Sequence, residues 1–211
     1  MLKGKTGHIA TELRAHIPFT LFGAFTGIAL MLLFRNISEE ASFRLFYVFH
    51  PGHVILSAMV TASMFELHSK KSGFLPVLLV GFFGSLGIAT VSDSLIPYAG
   101  EALLGMHAHA HEGESFAHSA HIGFIEGWYI VMPAAILGIL IAYFRPRTKI
   151  PHAAHVLLST WASSFHILMA AHGHIPLTTA FAMLVFLFIA VWLPCCISDI
   201  VFPLLFIRPE R

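Results

Sequence analysis

Two imidazoles three residues apart, followed further along the chain by a carboxylate, form a donor set suited to a divalent transition metal. The chain writes this set twice. His50-Pro51-Gly52-His53-Val54-Ile55-Leu56-Ser57 and His152-Ala153-Ala154-His155-Val156-Leu157-Leu158-Ser159 share the pattern HxxHVxLS. Ser92-Asp93-Ser94-Leu95-Ile96-Pro97 follows the first copy and Ser198-Asp199-Ile200-Val201-Phe202-Pro203 the second, both reading SDxxxP. The interval is 40 positions from His53 to Asp93 and 44 from His155 to Asp199, a difference of about one helical turn. A duplicated unit accounts for the shared order.

The expected ligands are therefore His50, His53 and Asp93 in one copy and His152, His155 and Asp199 in the other. In a regular helix Pro97 gives no N–H to the carbonyl of Asp93, and Pro203 none to that of Asp199, so a free backbone oxygen is expected beside each carboxylate. His50, His53 and Ser57 fall on one helical edge that continues through Thr61, Met64 and His68; His152, His155, Ser159 and His166 form the matching edge. Further donors are His118 and His121, a third HxxH with Glu126 shortly after it, and the triplet His107, His109 and His111. Cys195 and Cys196 lie just before Asp199 and are expected to be reduced thiols. Zinc, nickel, cobalt, iron and manganese all suit this mixture.

Competing interpretations are plain. One HxxH inside an apolar helix is commonly a hydrogen-bonded packing feature, the loop histidines suit a solvated pH-sensitive lid, and adjacent cysteines suit small buried apolar positions.

The elements that must position these residues are set by composition. Of 211 residues, 57% are hydrophobic and only 11% charged, and the mean hydropathy is +0.80. So short a chain cannot bury that much apolar surface in a water-soluble core, which indicates an integral membrane protein. No basic face suited to nucleic acid is present. Lys3, Lys5 and Arg14 precede the first apolar run without an A-x-A cleavage site after it, so the run is expected to stay as a membrane helix.

The expected fold class is an all-α membrane protein with six transmembrane helices, arranged as two inverted three-helix repeats in one domain. Residues 1–16 suit an interfacial segment, 17–98 the first repeat, 99–121 a His-rich outer loop and 122–207 the second repeat. Pro51 places residues 43–49 as a separate interfacial piece with the main helix starting near His50. Gly23 and Gly27 form a GxxxG face, and Gly81, Gly84 and Gly87 form a small-residue stripe for a neighbouring backbone; such faces also suit self-association. Three helices per copy turn the second copy upside down. With both termini cytoplasmic, Lys3, Lys5, Arg14, Lys70, Lys71, Arg145, Arg147, Lys149, Arg208 and Arg211 all lie inside, against Arg35 and Arg44 outside. That asymmetry orients the chain in a plasma (inner) membrane with the His-rich loop outside. The two metal sites then fall near opposite faces.

The function expected is a membrane transporter or channel for a divalent transition-metal cation. A membrane metalloenzyme is the first alternative, although the chain has neither HExxH nor HxxHH boxes. Haem carriage by His53 and His166 is the second. A retinal-type pigment is excluded by the lack of lysine within any span.

Overall fold

The computed structural model describes residues 2–69, 73–103, 122–170, 177–197 and 201–206, with the side chains of residues 2–13, 15, 16, 123, 124, 149, 170, 177 and 196 outside that description. The described residues are mostly helical and contain no strand. Helix α1 spans Leu2–Leu33 and α2 spans Glu39–His68. Phe74–Thr90 is α3, which passes through a π-helical stretch, Val91–Leu95, into α4, Ile96–Leu103. After Gly123–Glu126 (α5) come α6, Trp128–Phe144, and α7, Lys149–Ala170. Leu177–Cys196 is α8 and Phe202–Leu205 is α9.

Three of these are long and apolar enough to cross a membrane: Glu39–His68, Phe74–Leu103 as one continuous rod, and Thr178–Cys195. Ile17–Leu33 and Trp128–Phe144 are shorter apolar helices. Helix α7 is less apolar, because His152, His155, Ser159, Thr160, Ser163, Ser164 and His166 interrupt it; all seven are buried inside the bundle.

One boundary differs from the sequence expectation. Helix α2 runs unbroken through residues 43–49 and Pro51, so no separate interfacial piece precedes His50. It is started firmly: the Ser38 side chain accepts from the amide of Ala41, and Glu39 and Glu40 occupy the first turn, where the helix dipole favours negative charge. Helix α1 is continuous from Leu2 into the apolar run.

Helix directions follow from side-chain pairs. Phe46 meets His166, Phe49 meets Trp161 and His53 meets His155, so α2 and α7 run antiparallel with their HxxH motifs crossing. On the other side of α7, Gly23 and Gly27 take the place that a side chain would need against Thr160 and Ser164. This pairing is parallel, and the GxxxG face is used inside the chain. Gly81 closes on Ile139 and Ala62, and Gly84 on Thr61 and Phe202, whereas Gly87 faces open space. Of that stripe, only Gly87 meets nothing among the described residues.

Another close approach is not marked by any glycine pair. A Cβ on Gly138 would fall on the carbonyl oxygen of Ile55 and lie 2.9 Å from the Ala58 methyl. Gly138→Val is therefore expected to force α6 away from α2 and to destabilise by about 3 kcal/mol, the upper part of the overpacking range, because backbone cannot rotate aside. A thermal melt of purified protein in detergent checks this, and an unchanged midpoint would contradict the packing.

Apolar side chains also cover the outside. Phe181, Val185, Ile189 and Leu193 lie exposed at four-residue spacing along α8, and Leu75, Leu79 and Phe83 do so along α3. Polar edges point inward and apolar edges outward, the reverse of a water-soluble bundle.

Candidate functional site

Asp93 sits at the centre of the bundle with no exposure to solvent. A carboxylate there costs several kcal/mol unless donors surround it. Four do. Oδ2 accepts from His50 Nδ1 at 2.9 Å and His53 Nδ1 at 2.6 Å, while Oδ1 accepts from Ser92 Oγ at 2.8 Å and Ser159 Oγ at 2.6 Å. Three separate segments thus close on one side chain: α2, the π stretch and α7.

Proline explains why that stretch is π-helical. An α-helical turn would call on the N–H of residue 97, which proline lacks. The chain instead widens by one residue, and the Ile96 amide bonds the Val91 carbonyl. In this register the carbonyl facing Pro97 is that of Ser92, not Asp93, and Ser163 Oγ donates to it at 3.1 Å. The Ser92 oxygen that Pro97 cannot serve is thus capped by α7. Ile197 and Val201 are π-helical as well; they occupy in the second SDxxxP the places of Val91 and Leu95. Asp199, between them, lies outside the described residues.

The hydrogen bonds to Asp93 also set the chemistry of the rings. A carboxylate only accepts, so both Nδ1 atoms carry hydrogen, and in the neutral ring Nε2 becomes the basic nitrogen. This is the arrangement in which a carboxylate orients histidine as a metal ligand. His53 Nε2 is buried and finds no hydrogen-bond partner among the described residues; neither does Ser57 Oγ, one turn further along α2. The second HxxH packs against the same His53 ring. The His53 and His155 rings are 5.3 Å apart in an edge-to-face arrangement, and His152 and His155 are 4.9 Å apart. Ring nitrogens of His53 and His155 and the Cys195 sulfur lie within 4.8 Å of one another, as do donor atoms of His50, His53 and Asp93.

The two HxxH motifs are consequently not at opposite ends of the molecule. Helices α2 and α7 cross at the level of His53 and His155, and the two HxxH motifs form one buried cluster.

His166 goes elsewhere. Its Nδ1 is 2.8 Å from Glu101 Oε1, both side chains are buried, and its ring packs edge-on to Phe46. Glu101 was expected in the outer loop, yet α4 carries the helix on to Leu103. At 100° per residue Glu101 would lie about 80° from Asp93; the extra residue of the π turn brings it back to the same side. Gly100 helps by letting the Phe186 ring come close. The remaining polar edge of α2 ends sooner than its spacing suggests: Thr61 is buried, Met64 half-buried and His68 exposed, with His68 Nδ1 against its own Met64 carbonyl. Glu126 accepts from the Tyr47 hydroxyl at 2.9 Å.

His107, His109, His111, His118 and His121 lie outside the described residues, as does the Cys196 side chain. The cluster of buried imidazoles, carboxylate and sulfur could hold a metal ion. Compared with protein-family models, curated proteins and solved structures, the chain matches none of them.

Proposed function

We propose that the chain is a membrane transporter for a divalent transition-metal cation, built as two inverted repeats, with the metal path running through the junction of the two HxxH motifs. One observation carries this: His53 is oriented by Asp93 through one nitrogen, its other nitrogen is buried and unpartnered among the described residues, and its ring packs edge-to-face against the histidine of the second copy. A packing histidine would have both nitrogens satisfied.

The repeat reading draws support from equivalent features. His53 and His155 hold the same place in HxxHVxLS and touch each other, as residues on a two-fold axis do. Both SDxxxP segments have π-helical residues at matching positions. Side-chain pairs make α1 and α7 parallel and α2 and α7 antiparallel, the alternation that six spans with both termini inside require. Binding near the middle of a repeat interface, on interrupted helices, is the general design of inverted-repeat carriers; that likeness is an analogy of architecture.

In this mechanism a hydrated cation exchanges water for imidazole nitrogen, is held while one half of the molecule opens, and leaves as the other half does. His152 and Asp199 serve the second half as His50 and Asp93 serve the first, and the His-rich segment 107–121 gathers cations outside.

Reconstitution decides the matter. Purified protein in vesicles holding a metal-sensitive dye should admit at least one of zinc, nickel, cobalt, iron(II) or manganese faster than protein-free vesicles. Flux equal to the empty-vesicle leak for all five would remove the transporter reading. A haem absorption band in the purified protein would remove it as well.

A further inference from the structure

Resting on the metal-transport function proposed above, we infer that Cys195 is the third ligand of a mixed imidazole–thiolate centre with His53 and His155, and that the cargo is a borderline divalent cation of the zinc and cobalt type. Sulfur and two ring nitrogens from three different helices lie within 4.8 Å of one another. Donor atoms around a tetrahedral ion sit roughly 3.5 Å apart, so closing onto a metal takes a shift of about 1 Å per atom.

Placement of the sulfur is not accidental. Cys195 packs against Val156, the residue after His155, and Val191, one turn earlier on its own helix. Its sulfur is buried, as is His53 Nε2, which lacks a hydrogen-bond partner among the described residues. Asp93 is then a positioning residue: its oxygens already receive His50, His53, Ser92 and Ser159, and its charge strengthens His53 as a donor.

The donor set selects the ion. One thiolate and two imidazoles suit zinc and cobalt(II) far better than manganese or magnesium, which favour oxygen. Three protein ligands leave a fourth position for water, the open arrangement of exchangeable rather than purely structural sites. The thiol gives up its proton to solvent as the metal–sulfur bond forms, so loading is linked to proton release.

Cobalt(II) titrated into the full-length protein in mild detergent provides the test. The wild type is expected to show intense visible bands of four-coordinate cobalt together with a near-ultraviolet sulfur-to-cobalt charge-transfer band. Cys195→Ser and Cys195→Ala should each lose the near-ultraviolet band, and Cys196→Ser should keep it. Cobalt retained by the wild type without that band, or a band that survives both Cys195 variants, overturns the thiolate ligand while leaving metal transport standing. Failure of the wild type to retain either cobalt or zinc overturns both.

Discussion

Asp93→Ala is expected to lose the native fold, whereas Asp93→Asn should keep it and bind metal more weakly. The alanine leaves the donors of His50, His53, Ser92 and Ser159 buried around a void. Each stranded donor costs about 1–3 kcal/mol, and even partial relaxation leaves a sum comparable to the stability of a typical domain. Asparagine retains one acceptor oxygen and the volume, but it removes the charge that strengthens the histidines; losses of about 10–100-fold in metal affinity follow from such changes. Size-exclusion profiles and melts in detergent read the first effect, and competitive metal titration reads the second. An Asp93→Ala protein that melts like the wild type would show that the carboxylate does not hold α2, α7 and the π stretch together.

His53→Ala should bring metal flux down to the leak of empty vesicles, and His155→Ala should do the same. His53 is the ring that joins the two halves, with Asp93 on one nitrogen and His155 facing it. His68→Ala is the matched comparison: this exposed ring bonds only its own helix in the described contacts, and its flux should equal the wild type. Because His53→Ala also strips one hydrogen bond from Asp93, protein amount in the vesicles must be equalised by melting behaviour and mass before rates are compared. Half or more of the wild-type rate remaining in His53→Ala would place the path elsewhere.

Much of the site is legible in the chain because two different periodicities converge on it. The repeated HxxHVxLS marks His50, His53 and Ser57 as one edge and His152, His155 and Ser159 as another, and all six are buried. The inward direction follows from cost, since imidazole has no partner in lipid. What the chain does not reveal is where the edges cross. Charge asymmetry orders the helices along the membrane normal, and from that alone the two copies fall near opposite faces. It carries no information about the depth at which antiparallel helices pack, which Phe46, Phe49 and Gly52 set through His166, Trp161 and Leu158. Glu101 was missed for a different reason. Its position relative to Asp93 depends on a π turn, and a uniform 100° per residue rotates it off the site.

Cys195 shows the same division. Its place before SDxxxP is visible in the sequence, but its approach to His53 depends on three helices meeting. Gly138 belongs to no glycine pair, only to a small-residue series with Ala134 and Ala142, and the Ile55 carbonyl and Ala58 methyl opposite it explain the absent side chain.

Helix α7 carries a consequence for how the molecule is made. It holds the histidines and hydroxyls of the second copy and covers them completely, with Ser163 and Ser159 bonded into the first copy. A segment of that polarity gains little from entering lipid alone. Its stable berth is the groove between α1 and α2, both of which emerge from the ribosome earlier. Under the six-span arrangement proposed above, the first half would assemble a socket before the later helix docks into it, an order the polarity of α7 favours.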